Sequence, residues 1–476
     1  MTGQAFIALL PELISTAFLI LVLMVGVYSD SNAGVAAGLS TIGTLAVFGS
    51  AAVLLATGFS GSYFGGAFVV DGFALYFKLI VAGSAFFAVL AAARWSGQTG
   101  DAPEYLTLIL SVVLGSTLLV SMRDLFGIFL AIELATIPSY AMVAFDRSRR
   151  ESAEGGMKYL ITGVIASSVL LYGIVLIYGV SGSAMLQDVA DTFSGTLSPV
   201  ALLGLVLMIS GFAFKLSAAP FHFWTPDAYQ GAPTSAAAFL SVGPKAATFA
   251  ILLRILLEGM PGAAPTWTAV MAFLAIITMF VGNLFALRQR NVRRMLAYSS
   301  VAHSGYILAA FAAIQGGGVV FAVQAVLIYT AAYAVMNMGA FLVIDLVGEE
   351  TKSYNGLVRR NPGVAASMAL FMAALVGIPP LSGFFGKLWI IIAGAQSGSI
   401  LVYIVVGALV VNTVISVPYY FGIIRNMILE EPTTETARAK GSGALRICVY
   451  VLAVLTTLFG LLIIPLSALV GASGLA

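Results

Sequence analysis

"LVYIVVGALVVNTVISVPYYFGII", residues 401–424, carries no charged side chain and no alternation of apolar with polar residues. A helix needs about 20 apolar residues to cross the hydrocarbon core of a bilayer. A transmembrane β-strand would instead show a segment of about 10 residues in strict alternation. The stretch meets the first requirement and fails the second, so it reads as a membrane helix.

Outward from this stretch the same pattern recurs along the chain. Hydrophobic residues make up 60% of the 476 and charged residues 9%, and mean hydropathy is +1.04. Such a chain cannot face water without exposing a large apolar area. Apolar runs punctuated by Gly, Pro and charge predict helices near 5–28, 34–57, 71–94, 104–121, 125–144, 156–180, 200–218, 232–257, 267–287, 296–313, 318–346, 363–397, 400–424 and 445–468. The fold class expected is an all-α polytopic membrane protein of about 14 transmembrane helices, forming a single transmembrane domain over 1–476. The seventh helix is expected to break at "SAAPFHFWTPD" and the twelfth at "GIPPLSGFFG". The start, "MTGQAFIALLPELIS", lacks the basic residues and cleavage site of a secretory signal, so the first helix is expected to be retained.

The interrupted helices stand five helices apart. If 104–257 and 267–424 are two copies of a five-helix unit, the odd number inverts one against the other, the arrangement that places transporter sites at broken helices near the midplane. The run 445–468 then stands alone as the last helix.

Lysine and arginine orient the chain, because cytoplasmic loops carry their excess. Loops after odd-numbered helices hold Arg94, then Arg147, Arg149 and Arg150, then Arg288, Arg290, Arg293 and Arg294, then Lys352, Arg359 and Arg360, and finally Arg425, Arg438, Lys440 and Arg446. The other loops hold Arg123 and, near a helix end, Arg254. Both termini are therefore expected away from the cytoplasm. "DAPEYL" and "LEEPTTETARAK" read as solvated loops, and the glycines at 316–318 as a tight turn.

Basic residues within the helices are all lysines: Lys78, Lys158, Lys215, Lys245 and Lys387. Burial penalises the ammonium, so a lysine in hydrocarbon can release a proton that an arginine would keep. Lys78 and Lys158 lie near helix ends and have snorkelling as an alternative. Lys245 lies about 13 residues, roughly 20 Å, from either end of its run, beyond easy snorkelling. Lys387 follows the break of the twelfth helix. Glu133 is the carboxylate placed deep in a run, Glu12, Asp71 and Asp345 falling near ends. A lone carboxylate there must be protonated or paired, and Lys215 is the partner expected; a purely structural ion pair is the alternative.

Pro138, Pro220 and Pro244 each lack the N–H that would serve the carbonyl four residues back, freeing those of Leu134, Leu216 and Leu240, next to Glu133 and Lys215 in the first two cases. His222 follows in the broken seventh helix. His303, in "MLAYSSVAHSGYILAAF", serves either as a proton relay or as a core histidine bonded among Ser299, Ser300 and Ser304.

Several chemistries are absent. The single cysteine, Cys448, excludes disulfides, thiolate-held iron–sulfur clusters and a structural zinc site in this chain, and two histidines offer little for haem. No phosphate-binding or dinucleotide loop motif is present, no nucleic-acid-binding patch emerges, and the formal charge of +2 says little about partners.

Five segments carry a family resemblance: "LFGIFLAIELATIPSYAMVAFDRS", "SAEGGMKYLITGVIASSVLLYG", "GFAFKLSAAPFHFWTPDAYQGAPTSAAAFLSVGPKAA", "NVRRMLAYSSVAHSGY" and "GIPPLSGFFGKLWI". Together they resemble the antiporter-like N subunits of bacterial NADH:quinone oxidoreductase, respiratory complex I, from about residue 70 to 425. The "FHFWTPDAYQGAPT" block favours that branch over subunits L and M and over Mrp-type antiporters. The resemblance implies a proton-translocating subunit with no redox centre of its own. NADH, FMN, iron–sulfur clusters and quinone would belong to partner subunits, and neighbouring antiporter-like subunits, peripheral subunits and membrane lipid would be its contacts. It implies Glu133 and Lys215 as the carboxylate–lysine pair, Lys245 as the central lysine, Lys387 as the terminal one, and Lys158 and His222 as intermediate relay groups. Lys78 matches no motif and is expected to snorkel. The location implied is the bacterial inner membrane, with both termini periplasmic. The alternative is a subunit of an Mrp-type or hydrogenase-linked cation/proton antiporter.

Overall fold

A computed structural model describes residues 3–28, 33–99, 101–195, 197–432 and 443–462. Among them eleven helices are long and apolar enough to cross a membrane, and two shorter apolar helices, Pro199–Lys215 and Pro362–Val376, each end at a break. Each of the fourteen apolar runs contains a helix. Positions 463–468 of the last run, and Arg438 and Lys440 in the loop before it, lie outside the described residues.

The chain packs as two compact units. The first holds residues up to Leu216 together with Gly243–Trp267. Its elements begin with α1 (Gly3–Ala8), α2 (Leu10–Tyr28) and α3 (Ala33–Ala56), then a hairpin of β1 (Gly61–Tyr63) and β2 (Phe68–Val70). There follow α4 (Gly72–Thr99), α5 (Ala102–Leu119), α6 (Leu125–Val143), α7 (Arg150–Ser181), α8 (Leu186–Thr192) and α9 (Pro199–Lys215). In the antiparallel hairpin Gly61 pairs with Val70 and Tyr63 with Phe68. Helix starts follow their capping residues: the Asp124 carboxylate accepts from the Gly127 N–H at 2.6 Å, and the Ser198 hydroxyl accepts from Ala201 N–H at 3.1 Å, with Pro199 opening α9. "DAPEYL", expected as a solvated loop, is the first turn of α5. Pro103 suits that turn because its missing N–H would have had no helical partner, and Ala102, Tyr105 and Leu106 are buried.

Two glycines set the approach of α7 to α9. A Cβ on Gly173 would stand 2.7 Å from Met208 N and 2.8 Å from Gly204 O, and one on Gly211 would stand 2.5 Å from the Leu170 Cβ. Only hydrogen fits at these crossings, and the close approach puts the end of α9 against the polar face of α7. Apolar side chains such as Ile165 and Tyr172 on α7 point outward, the surface expected of a helix facing lipid rather than water.

The second unit holds Ser217–Val242 and the described residues from Thr268 onward. It contains α10 (Trp224–Gly231) and the first part of α11 (Thr234–Arg254), whose residues 243–254 belong to the first unit. It continues with α12 (Ala264–Ala286, from 268 on), α13 (Val292–Ala312), α14 (Val319–Val347), α15 (Leu357–Arg360), α16 (Pro362–Val376), α17 (Ser382–Ser397), α18 (Ile400–Leu429) and α19 (Gly443–Leu461). Helix α14 packs against α13, α16, α17 and α19. Both α11 and α13 are buried on nearly every side, which lets them carry Lys245 and His303 without presenting either to lipid. The glycines at 316–318 form a short 3₁₀ turn.

Both expected breaks are present. After α9 the backbone is non-helical from 216 to 223, with Ser217 at φ +59° and the Ala219–Pro220 peptide cis. Pro138 and Pro244 sit inside helices as expected. Pro220 does not: α9 has already ended at Lys215, so the carbonyl of Leu216 is released by the end of the helix and not by a proline within it. After α16, Gly377 adopts φ +93°, a left-handed conformation that side chains other than hydrogen disfavour.

Candidate functional site

In the first unit, α6, α7 and α9 converge on one ion pair. Lys215 Nζ stands 3.6 Å from Glu133 Oε1, and its side chain is 6% exposed. The gap is bridged by a serine from the third helix. Lys215 Nζ donates to Ser167 Oγ at 3.2 Å, and Ser167 Oγ donates to Glu133 Oε1 at 2.6 Å. A second ammonium proton goes to Thr136 Oγ1 at 2.9 Å, whose own hydroxyl proton is held by the Ile132 carbonyl at 2.7 Å. Thr136 stands three residues after Glu133, which puts both on one face of α6. The result is a continuous donor–acceptor path from ammonium to carboxylate, with charge-assisted bonds at both ends.

Lys245 is 4% exposed on α11. The C-terminal end of this helix is tied down by ions: Arg254, fully buried, donates to both carboxylate oxygens of Asp71 at 3.0 and 2.9 Å and to Glu258 at 2.8 Å. Arg123 closes the network on Glu258 at 2.8 Å. Glu258 lies in a π-type turn, Ile255–Gly259, a distortion that often marks functional helices. Arg254, expected near a helix end, is the last residue of α11 and the buried anchor of the helix that carries Lys245.

Lys158 takes the opposite setting. It is 46% exposed on the outer face of α7 and pairs with Glu154 at 2.7 Å, one turn away. The structure does not bring it to the Glu133–Lys215 pair. Lys78, expected to snorkel, does not: it is fully buried, with Nζ 2.7 Å from Glu12 Oε1 and 5.1 Å from the centre of the Phe68 ring. Glu12, expected near a helix end, is 4% exposed.

In the second unit His222 occupies the break after α9. Its ring is buried while Phe223 beside it is 72% exposed, and its Nδ1 has no hydrogen-bond partner among the described residues. His303 is bonded at both ring nitrogens, not by the serines of its own helix but by two tyrosines: Tyr329 OH lies 2.9 Å from Nδ1 and Tyr420 OH 3.1 Å from Nε2. Tyr420 in turn bonds Ser299 Oγ. Each of these groups both donates and accepts, so Tyr329–His303–Tyr420–Ser299 forms an unbroken chain along which a proton can shift by tautomer exchange.

Lys387, on α17, is 4% exposed and reaches back across the second break, where Nζ donates to Val376 O at 2.7 Å. The ammonium also sits 4.6 Å from the centre of the Tyr306 ring. Tyr306 accepts from Asn283 Nδ2 at 3.0 Å, and Asn283 Oδ1 accepts from Tyr419 OH at 2.8 Å. Tyr329 packs against Gly386, next to Lys387.

Among the described residues no group of three or more His, Cys, Asp or Glu is placed to hold a metal ion. The arrangement is suited to moving and storing protons on lysine, carboxylate, imidazole and hydroxyl groups. Residue-by-residue inspection missed the groups that connect the charges. Thr136 had a local signal, its spacing from Glu133; Ser167, Tyr329 and Tyr420 had none, since each comes from a helix distant in sequence.

Residues 122–416 match the family described as NADH:quinone oxidoreductase/Mrp antiporter, TM. A protein of Rubrobacter xylanophilus named NADH-quinone oxidoreductase subunit N is 72% identical over 476 residues, covering 100% of this chain and 99% of that one. Among solved structures, a chain of respiratory complex I from Thermus thermophilus with bound aureothin is 30% identical at a TM-score of 0.83, over 98% of this chain and 100% of that chain. A chain of the membrane-bound sulfane sulfur reductase, an archaeal respiratory membrane complex, is 27% identical at a TM-score of 0.88, over 99% and 97%. With a full-length relative at this identity, a matching complex I fold and a buried lysine beside each of the two helix breaks, the chain belongs to the antiporter-like membrane family of NADH:quinone oxidoreductase, in its subunit N branch.

Proposed function

We infer that this chain translocates protons as an antiporter-like membrane subunit of an NADH:quinone oxidoreductase. The observation that carries the inference is the serine-bridged pair of Glu133 and Lys215 at the end of a broken helix, because a bridged pair can be opened and closed without unfolding either helix. Quinone reduction in a partner subunit alters the electrostatics at this pair. When Glu133 is drawn away, Lys215 is left as an unpaired buried ammonium and releases its proton. That proton moves by way of Lys245 toward Lys387, where α17 meets the open end of α16. His222 and the His303 chain supply relay positions in the second unit. Moving each charge against the membrane potential costs about 2.3 kcal/mol per 100 mV, supplied by the redox reaction.

The same inference extends to the setting. NADH, FMN, iron–sulfur clusters and quinone belong to partner subunits, and other membrane and peripheral subunits, including further antiporter-like ones, flank the chain. The clusters Arg147–Arg149–Arg150 and Arg288–Arg290 support a cytoplasmic side for those loops, and so a bacterial inner-membrane location with both termini periplasmic. The segments 104–257 and 267–424 serve as the inverted halves.

Replacing Lys245 or Glu133 by alanine in the assembled complex tests the function. Proton pumping and the coupled oxidoreductase rate should both fall; unchanged rates with normal assembly would refute it. Because the matched family includes Mrp antiporters, pumping should also be assayed with and without sodium, and strict sodium dependence would transfer the chain to cation/proton exchange.

A further inference from the structure

The Glu12–Lys78 pair lies outside residues 122–416, the span matched by the antiporter family, and takes no part in the path drawn above. Its ion contact is as short as a hydrogen bond, 2.7 Å, with the two side chains 0% and 5% exposed. Yet the contact satisfies little of what the two groups can bond. Neither oxygen of Glu12 nor Nζ of Lys78 has a further hydrogen-bond partner among the described residues.

A buried ion pair that serves only to lock helices needs its remaining lone pairs and protons satisfied, and without them an apolar pair of equal volume holds the helices as well or better. Here the spare capacity continues into the surroundings. Ser15, one turn after Glu12 on the buried face of α2, has an unpartnered hydroxyl among the described residues, as does Ser121 in the turn that follows α5. Ser121 is held beside the ring that underlies Lys78, since its carbonyl accepts from Val69 N–H at 2.8 Å and Met122 bridges Phe68.

The pair is also placed in register with the main path. Asp71 is bonded to Arg254 at 2.9 Å. From that anchor Lys78 stands seven residues along α4 and Lys245 nine residues back along α11, or about 10 and about 13 Å at the helical rise. Counted from that anchor, the two lysines stand at similar heights along their own helices.

We propose that Glu12 and Lys78 form a second proton-exchanging carboxylate–lysine pair, carried by the first helices of the chain at the level of Lys245. In the exchange the N–H bond of the ammonium breaks as an O–H bond forms on Glu12 Oε1, converting ammonium and carboxylate into amine and carboxylic acid with no change in net charge. The amine then takes a proton from a hydronium ion on one side, and the acid releases one on the other, which restores the starting pair. The proposal rests on the proton-translocating function inferred above.

The test uses the assembled complex in proteoliposomes, comparing wild type, the apolar double variant Glu12→Leu with Lys78→Met, and Lys245→Ala. The expected result is a double variant that assembles and reduces quinone but moves fewer protons per electron than wild type. A wild-type ratio in the double variant overturns the proposal. If Lys245→Ala also leaves pumping untouched, the proton-translocating function itself fails; if only the double variant is unaffected, this inference alone fails. Should the double variant not assemble, redox-induced infrared difference spectra of the Glu12→Asp complex decide: a shifted carboxylic-acid carbonyl band supports proton exchange at Glu12, and a spectrum identical to wild type overturns it.

Discussion

Lys387 Nζ lies 2.7 Å from the carbonyl oxygen of Val376, so a side chain from the second half of a broken helix caps the first half. The last carbonyls of a helix have no partner within it and carry the negative end of its dipole, which an ammonium offsets. The same contact gives Lys387 a structural and a proton-carrying role, and the two separate by substitution. Lys387→Met should abolish pumping and also destabilise the break by about 1–3 kcal/mol, since buried acceptors lose their donor. Lys387→Arg should preserve stability and still impair pumping, because arginine holds its proton. Thermal unfolding of the purified complex and proton uptake in proteoliposomes read the two effects, and full pumping with arginine would remove Lys387 from the path.

Ser167 is the only bridging hydroxyl between Lys215 and Glu133 among the described contacts. Ser167→Ala should slow coupled turnover a few-fold, in line with a loss of about 0.5–1.5 kcal/mol for one hydrogen bond, and less than Glu133→Ala does. Steady-state quinone reduction in sealed vesicles measures it, and an effect equal to that of Glu133→Ala would mean that the serine is not merely a bridge.

The chain through His303 depends on two phenolic hydroxyls. Tyr329→Phe and Tyr420→Phe each keep the ring and its packing and delete one link, so assembly should be normal and pumping reduced. The double variant should be no worse than the more severe single one, because a wire cut once is already open. Additive losses in a double-mutant comparison of pumping rates would contradict a single serial chain.

Gly211 stands where a Cβ would meet the Leu170 Cβ at 2.5 Å. Gly211→Leu should force α9 away from α7 at a cost of about 1–3 kcal/mol or more, moving Lys215, four residues further along α9, off Ser167 on α7. Lower yields of assembled complex, with residual complex defective in pumping, are expected; Gly179→Leu, where no atom lies within 4 Å of the added Cβ, is the control and should behave as wild type.

Arg254 is fully buried against Asp71 and Glu258. Arg254→Met strands Asp71 without its counter-ion and leaves Glu258 to Arg123 alone, and removing one partner of a buried ion pair typically costs about 3–5 kcal/mol. Loss of assembled complex should follow, whereas the Asp71→Asn variant, which keeps a hydrogen-bonding group, should assemble more fully. Subunit levels in isolated membranes compare them.

What could be decided residue by residue was decided by hydropathy and by the few residue types that break it. The run at 401–424 required a membrane helix, and Lys245 and Lys387 stood out because an ammonium in hydrocarbon has no inexpensive explanation. Pro220 and the Pro379–Pro380 pair marked both breaks. Tertiary structure decided what each charge touches. Ser167 lies 34 residues from Glu133 and 48 from Lys215, and Tyr420 lies 117 from His303; helical periodicity specifies which face of its own helix a residue occupies but not which helix covers that face. Lys78 shows the limit most clearly. Two turns into its helix it had the position of a snorkelling lysine, and only the packing of α2 beside α5, which brings Glu12 inward, made burial with a counter-ion less costly than reaching for the headgroups.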